Sequence, residues 1–142
     1  MGARPRLRRW GRGREVAPPA HLRAELERVF GCPLAGVRVI EHSWFARLHG
    51  RAIATTRRER IYLRGSAAQF FNDPQLLLHE YAHVLLQWRC GALTVPRYLL
   101  ECLRRGYWRN RFEVEARALA AQHAPGLHAF LRAAQPSSAS RR

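Results

Sequence analysis

Two histidines and a glutamate share the short segment H-E-Y-A-H, residues 79–83, which has the pattern H-E-x-x-H. On a helix, His79 and His83 are four residues apart and lie on one face, so both imidazoles can reach one zinc ion. The carboxylate of Glu80 would lie beside them, where it can accept a proton from a water molecule at the metal. The segment therefore predicts a zinc site with Glu80 as its catalytic base.

The residues around this segment make the two histidines more informative. At 100° per residue, His79, Glu80, His83 and Gln87 fall within an arc of about 100°. The rest of the helix surface is apolar: Leu77, Leu78, Tyr81, Ala82, Val84, Leu85 and Trp88. Such a helix is expected to be buried, and a buried polar stripe needs partners. The alternative is a core helix whose histidines make ordinary hydrogen bonds, but the register of the three residues favours a metal.

Two common sources of a third zinc ligand are excluded by the sequence. The extended metzincin pattern requires glycine at position 86 and histidine at position 89, whereas this chain has Leu86 and Arg89. Cysteine ligation is also disfavoured, because no C-x-x-C pair is formed by Cys32, Cys90 and Cys102. A glutamate on a later helix remains.

The segment N-R-F-E-V-E-A-R, residues 110–117, offers Glu113 and Glu115. The two are about 200° apart on a helix, so only one can face the metal. Glu113 lies on the side of Ala116 and Ala120, whose small size would allow close helix packing. Glu115 lies beside larger residues, and helical position alone does not decide between them. Two weaker candidates are Glu101 and His123.

A peptidase also needs a group that stabilises negative charge on the attacked carbonyl oxygen. Three candidates follow the zinc-binding segment: Arg97, Tyr98 and Tyr107. For each of them the alternative is ordinary packing or a solvated charge, and the sequence does not choose.

Hydrophobic periodicity and turn residues predict an α+β fold in one domain, residues 18–134. A helix is expected over residues 21–30, followed by a strand at 37–40, a short helix at 43–49, and hairpin strands at 52–56 and 60–64. The small antiparallel sheet would have about three strands. A mainly helical, zincin-like half would follow, with helices at 74–90, 96–105 and 111–123 and a short piece at 127–133. The Asp73-Pro74 pair marks the start of the first of these helices.

The formal net charge is +15, and all 25 basic residues are arginine. Residues 1–17 are expected to form a disordered basic arm and residues 135–142 a disordered tail. The arginines at 4–14 with Trp10 could contact nucleic acid, although a solvated, disordered tail with biased codon usage is the favoured explanation. No secretory signal or transmembrane segment is expected, and the odd number of cysteines favours a reducing, cytoplasmic location or export without a classical signal.

The segments L-A-G-V-R-V, A-I-A-T, R-I-Y-L, L-L-H-E-Y-A-H-V-L-L-Q and F-E-V-E-A occur in this order. Over residues 21–122 the chain resembles the eCIS core domain, a bacterial metallopeptidase-like domain often encoded near extracellular contractile injection systems. The resemblance implies a gluzincin-type zinc peptidase acting on a protein or peptide. In that arrangement the first glutamate of E-x-x-x-D is the third ligand, here Glu113.

The chain departs from that arrangement at Arg117, where gluzincins carry an aspartate that orients a ligand histidine. The resemblance implies that Glu115, Glu101 or a backbone carbonyl takes this role. It also leaves open a catalytically inactive zinc domain that serves for recruitment of other proteins.

Overall fold

A four-stranded sheet lies in the N-terminal half of the domain. The computed structural model describes residues 13–47 and 54–136. Its strands are β1 (Arg14–Glu15), β2 (Arg38–Glu41), β3 (Ala54–Arg57) and β4 (Arg60–Leu63), in the order β1-β2-β4-β3. The α+β class predicted from the sequence is confirmed.

The sheet differs from the prediction in two respects. It is mixed rather than antiparallel, because β2 and β4 pair in parallel while β3 and β4 form the predicted hairpin. The reason is that β2 pairs with the second strand of the hairpin and not with the first, which leaves β3 at the edge. A fourth strand, β1, lies within residues 1–17, where the sequence predicts no ordered structure, and pairs antiparallel with β2.

The helices frame this sheet. They are α1 (Ala20–Phe30), α2 (Trp44–Arg47), α3 (Ala67–Phe71), α4 (Pro74–Ala82), α5 (Val95–Arg109) and α6 (Arg111–Ala134). The predicted start at Pro74 is confirmed, because Asp73 Oδ1 accepts a hydrogen bond of 3.1 Å from Leu76 N. After α4 the chain continues without a break as a π-helical segment, His83–Trp88.

Two predicted helix ends are wrong. The sequence places the end of α5 before Gly106, but the helix resumes after a kink at Gly106 (φ 75°, ψ 166°) and ends at Arg109. It also places the end of α6 near Pro125, but α6 passes through Pro125 to Ala134. A proline removes one helical hydrogen bond, and burial of Leu127, which is 1% exposed, favours continuation of the helix against the core. Helix α3 was not predicted.

The core lies between the sheet and the long helices. Val39, Ile61 and Leu63 present one face of the sheet to it. The helices contribute Leu22, Leu26, Leu77, Leu78, Tyr81, Val84, Ala120 and Leu127. On α6, Ala116 and Ala120 are buried as expected, and this helix packs extensively along α4. The close packing brings the first turn of α6 beside the H-E-x-x-H residues.

Parts of the predictions fall on residues outside this description. Residues 1–12, with most of the predicted arm, and residues 137–142 of the predicted tail are among them, as are 48–53 between α2 and β3. The nucleic-acid contact proposed for the arm therefore stays a prediction. Within residues 13–47 and 54–136, none of the helices has the length and apolar character needed to cross a membrane.

Candidate metal centre

Three side-chain atoms converge between α4, the π-helical segment and the first turn of α6. His79 Nε2 lies 2.9 Å from Glu113 Oε2 and 3.1 Å from His83 Nε2, and His83 Nε2 lies 3.4 Å from Glu113 Oε2. Ligand atoms around a tetrahedral zinc ion are about 3.3 Å apart, given metal–ligand distances near 2.0–2.1 Å. The three residues could therefore hold a metal ion together.

The Glu113 carboxylate is held by the local structure of α6. Asn110 caps this helix, because its side-chain oxygen accepts a hydrogen bond of 2.9 Å from Phe112 N. The second carboxylate oxygen of Glu113 accepts a hydrogen bond of 2.8 Å from the Tyr98 hydroxyl. Burial raises the pKa of Glu113, but the hydrogen bonds from His79, His83 and Tyr98 outweigh it and hold the pKa well below its usual range. Glu113 is therefore ionised, as a metal ligand must be.

His83 lies deep in the site and is 5% exposed. Burial lowers the pKa of its imidazole, but the hydrogen bond with Glu113 and the charges of Glu80 and Glu113 outweigh burial, so the pKa is raised overall. The same carboxylates that attract a proton to this imidazole would also attract a cation. The imidazoles of His79 and His83 meet edge to face, with ring centroids 4.7 Å apart.

Glu80 is buried beside the two histidines and lines the cleft that opens onto them. Burial raises the pKa of Glu80, and the neighbouring Glu113 raises it further, while His83 and His79 oppose both effects. A carboxylate with a raised pKa is a better proton acceptor than an ordinary surface glutamate.

The cleft has a volume of about 540 Å³ and runs between the edge strand β3 and helix α5. All of Ala54–Arg57 lines one wall, and Val95, Tyr98 and Leu99 line the other. The indole of Trp88 donates a hydrogen bond of 3.3 Å to Thr56 Oγ1, which holds β3 against the π-helical segment. The cleft thus joins an exposed sheet edge to the three converging side chains.

The remaining carboxylate and histidine candidates do not join this group. Glu115 is exposed, and its carboxylate lies 3.3 Å from Gln87 Nε2 rather than at the histidines. Glu101 on α5 lies near Arg105 and Arg111. Of the described residues, only His79, His83 and Glu113 form a cluster able to hold a metal, so His123 and the three cysteines are outside it.

The three candidates for stabilising the attacked carbonyl oxygen make different contacts in the structure. Arg97 donates to the backbone carbonyls of Gly91 and Ala92 and does not line the cleft. Tyr98 donates its hydroxyl to Glu113. Tyr107 lines the cleft and is 59% exposed. Burial and the nearby carboxylates Glu113 and Glu80 raise the pKa of Tyr107, so its hydroxyl keeps its proton.

Arg117 and Arg89 stand at positions where the gluzincin and metzincin patterns have aspartate and histidine. The guanidinium of Arg117 lies 4.0 Å from the centre of the Trp108 ring and donates to Trp108 O. Arg89 donates to Pro33 O, Ala35 O and the carboxylate of Glu59. Both side chains therefore connect neighbouring segments of the fold.

Sequence reasoning gave no role to Gln87, although it placed this residue in the polar stripe. The side chain is 4% exposed, and its amide oxygen lies 2.6 Å from His83 Nδ1. Its amide nitrogen donates to Phe112 O at 2.9 Å. The signal was present in the sequence, since a buried glutamine on the metal-facing stripe must have a polar partner.

Comparison with known proteins gives one match. The model of the family described as the eCIS core domain matches residues 17–90, which contain the H-E-x-x-H segment and end before Glu113. No curated protein and no solved structure matches the chain.

Proposed function

Because the chain belongs to the eCIS core domain family, whose match covers His79, Glu80 and His83, we propose that it is a zinc-dependent metallopeptidase. It would hydrolyse peptide bonds in protein or peptide substrates. The observation that carries the proposal is the convergence of His79, His83 and Glu113 within 4.8 Å, with Glu80 beside them in an open cleft.

The ligand set favours zinc among the common metals. Two neutral imidazoles and one carboxylate, with a further position left for water, are the ligands of many catalytic zinc sites. An oxygen-rich site would instead favour magnesium or calcium. When bound, a zinc ion supplies a Lewis acid that lowers the pKa of water to near 7 and polarises a carbonyl oxygen.

Glu80 is the proposed base. Its carboxylate accepts a proton from water as that water attacks the peptide carbonyl, and then transfers the proton to the leaving amine. The raised pKa of Glu80 suits both steps, because the same group must take up a proton and release it near neutral pH. Tyr107, which lines the same cleft, would donate its hydroxyl hydrogen to the carbonyl oxygen as negative charge develops there.

The edge strand β3 supplies a means of holding the substrate. An extended peptide can add to a sheet edge through backbone hydrogen bonds, which are independent of side-chain identity. Since the four residues of β3 line the cleft that contains Glu80, a peptide on this edge would pass in front of the histidines. The apolar wall formed by Val95 and Leu99 would favour apolar side chains in the substrate.

The Glu80→Gln variant tests the proposal. Zinc content is measured by elemental analysis, and hydrolysis of a mixture of unstructured peptides is followed by mass spectrometry together with any self-cleavage. We expect wild type to bind one equivalent of zinc and cleave peptides, and Glu80→Gln to retain the zinc and lose cleavage by about 10²-fold or more. Glu15→Gln is the matched control, because Glu15 is exposed on β1 at the opposite sheet edge.

Two results would contradict the proposal. Wild-type protein that takes up no zinc would remove the metal site altogether. Full activity in Glu80→Gln would exclude Glu80 as the base. Zinc binding without any hydrolysis would instead support the other function considered from the sequence, a zinc-containing recruitment domain.

A further inference from the structure

Gln87 connects the second histidine of the site to the helix that carries the third candidate ligand. Its amide oxygen lies 2.6 Å from His83 Nδ1, on the side of the ring away from the metal-facing nitrogen. Its amide nitrogen lies 2.9 Å from Phe112 O and 3.3 Å from Glu115 Oε2. Phe112 immediately precedes Glu113, so one buried side chain contacts both halves of the site.

The partners of Gln87 fix the direction of these hydrogen bonds. A backbone carbonyl and a carboxylate only accept, so the NH₂ group of Gln87 must face Phe112 and Glu115. The amide oxygen then faces His83, and because an amide oxygen only accepts, His83 Nδ1 must carry the hydrogen. In a neutral imidazole this leaves a lone pair on Nε2, the atom that points at His79 and Glu113.

We propose that Gln87, supported by Glu115, is a positioning residue that holds His83 in the metal-binding tautomer. It thereby takes the role that the resemblance assigns to an aspartate at position 117. The inference rests on the proposed metal site and deepens it, because a ligand histidine requires a partner on its other ring nitrogen to set its tautomer and orientation. In this chain the partner lies on the helix of the histidine itself.

The arrangement lies within the π-helical segment. Both His83 and Gln87 belong to it, and Arg89 N donates to Val84 O, five residues earlier. This wider turn carries the Gln87 side chain while His83 still faces the site. Single π-helical turns within α-helices occur frequently at functional sites.

The contacts of Arg117 agree with the assignment of the positioning role to Gln87. Its side chain packs on Trp108, so position 117 contributes to the contact between α5 and α6 and not to the histidines. With His83 Nδ1 already paired to Gln87, this imidazole needs no carboxylate at position 117.

The test uses two variants and two measurements. Gln87→Met removes both hydrogen-bonding ends at similar volume. The double variant Gln87→Glu with Glu115→Gln exchanges the two groups, so that a carboxylate at position 87 accepts from His83 and an amide at position 115 can donate to that carboxylate. The exchange loses the hydrogen bond to Phe112 O, because neither a carboxylate nor a carbonyl donates. Leu86→Gln is the control, because Leu86 is 42% exposed on the same π-helical segment. Folding of each variant is checked by circular dichroism.

The first measurement is zinc affinity, by competition with a chromophoric chelator. We expect Gln87→Met to bind zinc about 10–100-fold more weakly, and the exchanged double variant to bind it more tightly than Gln87→Met. Leu86→Gln should stay within about 3-fold of wild type. Wild-type affinity in a folded Gln87→Met protein would overturn the proposal.

The second measurement is the tautomer of His83 in a metal-free Glu113→Ala background, in which no carboxylate competes for a hydrogen on Nε2. It is read from long-range ¹H–¹⁵N correlation NMR of the imidazole at a pH where it is neutral. In this background the protein with Gln87 and the double variant should show hydrogen on Nδ1, and Gln87→Met should lose this preference, which a merely structural role of Gln87 would not change. If Gln87→Met does not fold, the double variant decides: hydrogen on Nδ1 supports the proposal and its absence overturns it. Because this measurement needs no metal, it tests the role of Gln87 even if the wild-type protein does not bind zinc.

Discussion

His79 Nε2 and Glu113 Oε2 lie 2.9 Å apart although 34 positions separate the two residues in the chain. The contact joins α4 to the first turn of α6, and it is the feature that distinguishes a metal centre from a helix with two histidines. Glu115, two residues further along α6, faces away from the histidines and is exposed. The two glutamates should therefore respond differently to substitution.

We expect Glu113→Ala to weaken zinc binding by more than the roughly 10–100-fold typical of a residue that only supports a ligand. Glu115→Ala, the matched control on the same helix, should weaken it less, because Glu115 acts only through Gln87. Isothermal titration of metal-free protein with zinc measures both. Equal losses in the two variants, or a larger loss in Glu115→Ala, would exclude Glu113 as the third ligand.

Substitution of two tyrosines near the site should distinguish a residue that supports metal binding from one that acts in catalysis. Tyr98→Phe removes the hydroxyl that donates to Glu113 Oε1, so we expect zinc affinity to fall about 10-fold. Tyr107→Phe removes a cleft hydroxyl that interacts less closely with Glu113, so zinc affinity should fall less than in Tyr98→Phe while kcat falls about 10²-fold with little change in KM.

The check on this pair is peptide hydrolysis at saturating zinc. Under these conditions Tyr98→Phe should recover most of its activity, and Tyr107→Phe should not. Recovery of activity by Tyr107→Phe at high zinc would place Tyr107 in metal binding and remove it from stabilisation of the carbonyl oxygen.

Much of the fold was predictable because local signals and burial agree. The Asp73-Pro74 start, the apolar surface of the H-E-x-x-H helix and the alternation in β4 each point to one structure. The α+β class followed from them. The parallel pairing of β2 with β4 was not predictable, because the alternating pattern of each strand is compatible with either orientation. Only the path of the connecting chain decides which strands pair and whether they run parallel or antiparallel.

The predicted ends of α5 and α6 are wrong because these ends, too, depend on contacts between distant parts of the chain. Gly106 and Pro125 are local signals for termination, and the α5 and α6 helices nevertheless continue beyond them. Tertiary contacts outweigh these signals: Leu127 is buried in the core, and Asn110 Nδ2 donates to Tyr98 O across the junction of the two helices. Sequence periodicity contains no information about such contacts.

At the candidate site, the sequence identified the residue types and the structure supplied the distances. The helical positions of Glu113 and Glu115 were compatible with either as ligand, and the 2.9 Å contact of Glu113 with His79 and the exposure of Glu115 distinguish them. The sequence placed Gln87 on the polar stripe, but only the structure shows that its partners are His83, Phe112 and Glu115.

Arg117 departs from the gluzincin pattern, and its substitution tests whether this position supports the fold or the metal site. Its guanidinium packs over the Trp108 ring and donates to Trp108 O, so we expect Arg117→Ala to lower the free energy of unfolding by about 1 kcal/mol. Zinc affinity should stay within about 3-fold of wild type, because the side chain makes these contacts away from the histidines. Chemical denaturation and zinc titration of the same sample measure the two effects. A loss of zinc binding comparable to that of Gln87→Met would mean that Arg117 supports the site.

The pH dependence of stability should depend in part on Glu41, a buried carboxylate on β2. It accepts hydrogen bonds from Ala67 N at 2.8 Å and from Arg14 at 2.9 Å. The bond from Ala67 N is the main cause that lowers the pKa of Glu41, with burial opposing it and Arg14 adding to it. Because the folded pKa lies below the unfolded value of about 4.3, this contribution to stability is complete at higher pH and is lost as the pH falls through the folded pKa.

We therefore expect Glu41→Gln to lower the free energy of unfolding by about 1–2 kcal/mol at pH 7, and by progressively less as the pH falls below about 4.3. Urea denaturation of both proteins between pH 3 and pH 7 gives the difference directly. Glu15→Gln, on the neighbouring strand β1, serves as the control and should show a small, nearly constant difference, because its contact with Arg38 at 3.8 Å is exposed. A difference for Glu41→Gln that grows as the pH falls would show that the charged form of Glu41 does not stabilise the fold.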